Sequence, residues 1–333
     1  ISLMTNYFDN AVQITRALKD AGVTAPVLWG GVHPTIRPEE CVQIADMICL
    51  GDGEEAILDV AHCLEQDRPP VDVPNIWLRH EGQVVRNDVR PLRQDLDAYP
   101  MPDYDLTDHW VFHQDRVQPM TLDLLKTFLA QGTVSAHFHR IGYQTMTGRG
   151  CPHKCTYCIN DAIKQLYGAK GYLRWRSTDH VMAELTWVKE HMPFVGFVWI
   201  SDDAFFGRSL ESITEFCRQY TEKVGLPFTC LASPLTMSDE KLRTLVDAGL
   251  FYLQMGVQTG SARIQELFNR KAMNNAKMLQ AMAVINSYKH KLAPPSYDFI
   301  LDVPYETEQD KIDSIRFISL IPKPFRLQPF SLV

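Results

Sequence analysis

No apolar run in the 333-residue sequence approaches the ~20 residues that a membrane-spanning helix needs. Nothing at its start has the basic, then apolar, then small-residue order of a secretory signal. The expectation is a soluble, cytoplasmic protein without a membrane span. Positive charge is not in excess either: 33 Lys and Arg against 40 Asp and Glu leave a net charge of -7, which argues against a nucleic-acid partner. A composition 45% hydrophobic, 22% charged and 10% aromatic excludes the disordered, collagenous and coiled-coil classes. The length suits two domains, or one large barrel with an appendage. The sequence begins at Ile1 rather than Met, in what reads as the end of a strand, and stops at Leu332-Val333 after another extended run. It is therefore read as a fragment lacking both ends.

What is present is alternation. Asp9 or Asn10 is expected to cap a helix with Ala11, Ile14, Leu18 and Ala21 on its apolar face. Pro26 to Trp29 and Met47 to Leu50 read as buried strands. A helix opens at Pro38, and another carries Ile57, Val60, Ala61 and Leu64 inward. Strands alternating with helices predict a parallel α/β sheet over residues 1–70. Residues 71–140 break this rhythm with repeated prolines and a hairpin around Glu81-Gly82, and read as a connector. From residue 141 to 333 the alternation resumes, with strands expected at Tyr143 to Thr147, Val195 to Ile200, Phe228 to Ala232, Tyr252 to Val257, Ser296 to Leu301 and Arg326 to Phe330. Six βα units of similar length predict a partial barrel, whose chemistry gathers at the C-terminal ends of its strands.

Cys41, Cys49, Cys63, Cys217 and Cys230 lie singly in apolar runs and read as small buried hydrophobes. Cys151, Cys155 and Cys158 differ, because three thiols in eight residues follow the first strand of the barrel, behind Gly148-Arg149-Gly150. Without a secretory signal, such a cluster points to metal or redox chemistry. Two readings compete. In one, three thiolates hold an iron–sulfur cluster and leave one iron open, since no fourth Cys is near. In the other, His153 completes a structural zinc site, although its position two residues after Cys151 makes tetrahedral closure awkward. The cluster is preferred. An electron carrier of the ferredoxin kind would not need so much barrel around one cluster.

With an aromatic residue before the third Cys and six βα units after it, the second half of the chain resembles the radical S-adenosylmethionine (radical SAM) superfamily. The resemblance implies that Cys151, Cys155 and Cys158 hold a 4Fe-4S cluster. It also implies that the amine and carboxylate of S-adenosylmethionine chelate the open iron, and that one electron releases a 5′-deoxyadenosyl radical. Trp199 to Phe205 resembles the acidic segment after the second strand, so Asp202 and Asp203 are expected near the cofactor, as is Tyr157, the aromatic residue before the third Cys. Met255 to Ser261 resembles the family's Gly-x-Gln/Glu-Ser-Gly-Ser segment, which implies Gln258 and Thr259 at the ribose; Arg270 follows in Asn269-Arg270-Lys271. Phe299 to Thr307 resembles the segment lining the adenine and implies Ile300 and Pro304. Two departures stand out: Asp302 occupies a position where the family has Gly, and Ser233 follows the third strand where many relatives carry Arg.

The N-terminal part resembles the cobalamin-binding domain found in front of this core. Ser2 and Thr5 match its Ser-x-x-Thr strand end. Gly30, Gly31 and His33 match its Gly-Gly-x-His-Pro-Thr turn, and Gly51, Gly53 and Glu54 its Gly-x-Gly-Glu turn. His33 is read as structural in its turn. His137 and His139, alternating if extended, read as surface. The fold expected is a partial Rossmann-like cobalamin-binding domain followed by a radical SAM (βα)6 partial TIM barrel. The function implied is cobalamin-dependent methyl transfer, ring formation or rearrangement on a small-molecule substrate. It needs an external one-electron donor such as flavodoxin or ferredoxin. The rivals are a radical enzyme with a vestigial N-terminal domain and a zinc-stabilised, non-catalytic binding module.

Overall fold

The computed structural model describes residues 1–332. They form two compact units, residues 1–94 with 153–172 and residues 95–152 with 173–332. The stretch expected to be a connector contributes to both.

In the first unit, β1 (Leu28–Trp29) and β2 (Met47–Cys49) pair in parallel, and Ser2 adds a parallel bridge to Gly30. β3 (Ile76–His80) then pairs antiparallel with β2, and β4 (Gln83–Arg86) antiparallel with β3. The turn between them is the expected Glu81-Gly82, with φ of 48° and 76°. Two successive left-handed residues are what a tight hairpin of this twist requires.

The first helix, Phe8–Asp20, corrects the expected face. It buries Ala11, Val12 and Thr15, while Ile14 and Leu18 are exposed. Trp29 is fully buried and its Nε1 donates to Thr15 Oγ1 at 2.9 Å, so the helix turns its hydroxyl inward to satisfy the indole. Asp9 lies in the first turn rather than capping, because a short 3-10 turn at Thr5–Tyr7 precedes the helix. Glu54–Glu65 is rotated likewise, burying Ala56, Val60 and Cys63 and leaving Ile57 and Leu64 exposed.

The second unit opens with a hairpin, β5 (Trp110–His113) and β6 (Arg116–Pro119), and the helices Leu122–Gln131 and Thr133–Phe138. His137 and His139 are therefore at a helix end, not on a strand. Next come β7 (Gly142–Thr145), the short antiparallel pair β8 (Gly148–Arg149) and β9 (Arg174–Trp175), then β10 (Phe197–Ile200), β11 (Phe228–Ala232), β12 (Leu250–Gln258), β13 (Ser296–Leu301) and β14 (Arg326–Ser331). The six long strands lie in the order β7-β10-β11-β12-β13-β14, all parallel. This order follows the sequence without reversal, so the sheet winds one way and curls as a barrel does, instead of splitting around a switch point.

Alternation along these strands separates two faces. Val198, Ile200, Phe228, Cys230, Leu253, Met255, Tyr297 and Phe299 join the helices in one core. Gln144, Trp199, Thr229, Gln254 and Asp298 occupy the alternate positions and face the inside of the curve. An aromatic cluster closes the end where the strands begin: Phe138 packs edge-on to Phe197, Phe251 and Tyr252 at 5.6, 5.0 and 4.9 Å between ring centres. Chemistry is thereby confined to the opposite end.

Candidate active site

Each parallel strand ends at the same edge, and the segments singled out in the sequence leave from it. The chain leaves β7 through Thr147, which is held hard: Asp202, just after β10, accepts from Thr147 N–H and Oγ1–H at 2.5 Å each. Arg208 donates to Thr147 O and Oγ1 at 2.9 Å, its guanidinium lying 4.2 Å from the centre of the Trp175 ring. Asp202 is buried, and burial raises its pKa to about 6 against the lowering by Thr147 and Arg208. Asp202 thus braces the entry to the cysteine segment, while Asp203 is exposed. Gly148 lies flat on Trp175, where a Cβ would come within 2.1 Å of the indole. Arg149 sits over Tyr99, and half-buried Cys151 follows Gly150.

In the first unit, the Cys158 amide donates to Cys155 O at 3.0 Å, closing a turn that leads into the helix Ile159–Tyr167. Cys155 is buried and Cys158 half-buried. Asn160 Nδ2 donates to Cys158 Sγ at 3.6 Å, and its Oδ1 accepts from Tyr172 Oη at 2.6 Å. An amide donated to sulfur suits a thiolate ligand, whose charge it offsets. Lys164 Nζ donates to His153 O, and Tyr157 is half-buried. Among the described residues, no three His, Cys, Asp or Glu side chains converge as the ligands of a single ion do. Thiolates on three different irons of a cube stand further apart than that.

The ends of β11, β12 and β13 carry the remaining expected residues. Ser233 sits in the turn after β11, its carbonyl accepting from Thr236 and Met237. A bulge between Gly256 and Gln258 shifts the β12–β13 register and holds Gln258 at φ 74°, which re-aims its side chain. Thr259 Oγ1 lies 3.1 Å from Ser314 Oγ, and Ser261 caps the next helix while donating to Asp310 Oδ1. Arg263 also binds Asp310 and holds its carboxyl well below the usual carboxylate range. Arg270 Nη2 reaches back to Gly256 O at 2.7 Å. Ile300 is buried on β13, and Pro304 is exposed beyond it. Asp302 adopts φ 57°, so the left-handed turn a glycine would supply is kept with an aspartate in it. Asp302→Gly is expected to raise the urea midpoint by the equivalent of about 1 kcal/mol or less, since aspartate tolerates this region only at a cost. A lowered midpoint would mean that the carboxyl makes contacts outweighing that cost.

Around the N-terminal turns the chain packs against itself. Leu3 N–H donates to Gly30 O, and Gly31, at φ 96°, lies so close to Leu3 that a Cβ would meet its carbonyl at 2.8 Å. His33 is buried, with Nδ1 3.2 Å from Thr5 Oγ1 and Nε2 2.9 Å from Glu40 Oε1. Thr35 Oγ1 joins the two glycine turns, donating to Gly31 O and accepting from Gly51 N–H. Over Gly51 stands Tyr167, whose hydroxyl accepts from Asp52 N–H and Asn75 Nδ2 at 2.9 and 3.1 Å. Gly53 and Glu54 open the helix that follows.

Sequence reasoning missed several groups. Glu184 is 3% exposed, accepts from Tyr143 Oη and Thr145 Oγ1 at 2.7 Å each, and pairs with Arg176 at 2.6 Å. Its signal was a lone acid within the buried helical face Val181/Leu185/Val188. This network borders a cleft of about 280 Å3 that Tyr99, Arg149 and Ser201 also line. Asp298, on the inside of β13, accepts from Gln254 Nε2 at 2.8 Å, and burial raises its pKa to about 7. The unfolded value is ~3.9, so between roughly pH 4 and 7 the native chain binds a proton that the unfolded chain lacks, and stability falls as pH rises. Tyr252 and Arg326 are the neighbouring titratable and charged groups on the flanking strands. Asp298→Asn is expected to flatten this slope in urea midpoints measured across that range. Parallel slopes for the two proteins would remove Asp298 from the account.

A singly wound parallel half-barrel, with a three-thiol segment leaving its first strand and acceptor-rich turns at the other strand ends, defines an α/β-barrel enzyme of the iron–sulfur kind. Residues 145–318, more than half of the chain, match the model of the radical SAM superfamily, and the chain belongs to it. Residues 1–61 match the B12-binding domain. The chain is 25% identical over 324 residues to an uncharacterized methyltransferase of Pyrococcus horikoshii, covering 95% of this chain and 62% of that protein. In fold it is similar to the cobalamin-dependent S-adenosylmethionine radical enzyme OxsB, with a TM-score of 0.70 at 16% identity, covering 97% of this chain and 44% of that one. It is likewise similar to the radical S-adenosylmethionine methyltransferase TsrM from Kitasatospora setae, with a TM-score of 0.71 at 14% identity, covering 94% and 57%. The chain thus spans less than two thirds of these relatives. No helix of the described residues is long and apolar enough to cross a membrane.

Proposed function

We propose that this chain is the catalytic core of a cobalamin-dependent radical SAM methyltransferase acting on a small organic molecule. The observation that carries the reading is the three-thiol segment that follows the first barrel strand in the sequence, in a chain whose N-terminal residues match a B12-binding domain. Cys151, Cys155 and Cys158 would hold the 4Fe-4S cluster. Gly30, Gly31, Gly51, Gly53 and Glu54, with Ser2 and Thr5, would border the cobalamin. Bound there, the cluster supplies the electron that cleaves the sulfonium of S-adenosylmethionine, and the corrinoid supplies a methyl-carrying cobalt.

The chain's own residues do the rest. Asp202 and Arg208 fix Thr147 and so the path into the cysteine segment. Asn160 donates to Cys158 Sγ and offsets thiolate charge. Gln258, Thr259, Ser233, Ile300 and Pro304, at the strand ends, would seat S-adenosylmethionine, with Asp203 and Tyr157 at its margins. Arg270 acts on this site through Gly256 O, as a positioning residue. The aromatic cluster around Phe138 shuts the far end against water and stray hydrogen donors, which a radical reaction requires. An external one-electron donor such as flavodoxin or ferredoxin is a partner.

The test is anaerobic incubation of the full-length protein with a reductant and S-adenosylmethionine, following 5′-deoxyadenosine and S-adenosylhomocysteine together. Both products are expected. 5′-Deoxyadenosine alone would replace methyl transfer by rearrangement or ring formation, and neither product would defeat the proposal. Corrinoid absorbance after reconstitution separates it from a radical enzyme with a vestigial domain.

A further inference from the structure

The inside of the barrel carries a carboxyl–amide pair that neither the cluster nor the S-adenosylmethionine assignments use. Asp298 lies midway along β13 and Gln254 on β12, both at positions facing away from the helices. Gln254 Nε2 donates to Asp298 Oδ1 at 2.8 Å, which orients the amide and leaves two oxygens, Gln254 Oε1 and Asp298 Oδ2, as acceptors. On β12 the residue registered beside Asp298 is Gly256, which brings no side chain, and on β14 it is Gln328. Ile300, two residues on along the same face, and Gln258, whose amide lies over Gly256, belong to the layer assigned to S-adenosylmethionine. Asp298 therefore sits one layer deeper, where a substrate would meet the cofactor. Its carboxyl is half-buried, and that burial raises its pKa to about 7.

We infer that Asp298 and Gln254 hold an amino group of the substrate, which is therefore an organic amine bound as its ammonium. This rests on the reading of the barrel as the reaction chamber. An ammonium offers donors to both oxygens and a charge to the carboxylate, whereas an alcohol offers one donor and no charge. A carboxylate or phosphate at this level would meet the like charge of the Asp298 carboxylate.

Benzylamine and benzyl alcohol, alike in shape, are the probes, and their binding to the full-length protein is read by saturation-transfer NMR near neutral pH without any turnover. The amine is expected to bind at least about tenfold more tightly than the alcohol, and Asp298→Asn to erase that preference. Gln254→Leu, which keeps the carboxylate, is expected to weaken the amine by about threefold and provides the test should Asp298→Asn not fold. Equal binding of the two probes, or an amine preference that survives both substitutions, overturns the inference. S-adenosylmethionine cleavage by the unaltered protein is measured alongside. Cleavage without amine preference defeats this inference alone, and amine preference without cleavage defeats the functional reading alone.

Discussion

Cys155→Ser in the full-length protein is expected to bring iron and acid-labile sulfide after anaerobic reconstitution down to background, and S-adenosylmethionine cleavage with them. Of the three thiols, Cys155 is the buried one, and its carbonyl closes the turn that aims Cys158. Serine keeps that turn, because the bond is made by the backbone, so circular dichroism should be unchanged. What it removes is a soft thiolate, since a serine hydroxyl stays protonated at neutral pH and binds iron poorly. The zinc reading makes the opposite forecast, in which the native protein carries one zinc and no labile sulfide, and loss of a ligand unfolds its loop. Metal and sulfide analysis of the two proteins decides between them.

Gly51→Ala is expected to be the most damaging single methyl in the first unit. At φ 69° any Cβ is strained, and here it would fall 1.9 Å from Tyr167 Oη. The tyrosine cannot yield cheaply, because its hydroxyl holds Asp52 N–H and Asn75 Nδ2, and Asn75 in turn bonds Leu50 O. Left-handed strain of about 1–2 kcal/mol and overpacking of about 1–3 kcal/mol together predict a loss of roughly 2–5 kcal/mol. Urea unfolding measures it. Gly51→Ala in a Tyr167→Ala background should cost only the conformational part, about 1–2 kcal/mol. Equal costs in both backgrounds would show that the tyrosine is not the obstacle.

How far the sequence could be read depended on whether a feature is local. Ser238 caps Asp239–Asp247, and Leu242, Leu245 and Val246 are buried at helical spacing, features that capping and helical period decide within a few residues. Glu81-Gly82 made its turn for the same reason. The helix beginning at Phe8 went the other way. Its period allowed two neighbouring faces, and the choice fell to Trp29, which needed the Thr15 hydroxyl. Asp202 illustrates the same limit within the site. Its place after a strand suggested an oxygen turned to the cofactor, yet both oxygens meet Thr147, a partner 55 residues earlier that only the β7–β10 pairing brings near. Gly51 and Tyr167, 115 residues apart at Asp52, were likewise invisible as a pair.

The spacing of three cysteines pointed by itself to metal or redox chemistry and the cadence of six βα units to a barrel, while the class of reaction came from the family those motifs resemble. Thiol spacing on one loop and hydrophobic period are properties of neighbouring residues, so no long-range contact is needed to see them. Which acid braces a backbone, which tyrosine fills a glycine turn, and which carboxyl looks into the barrel were decided only when distant strands aligned. Those roles depend on register and burial, and both come into being when the sheet closes.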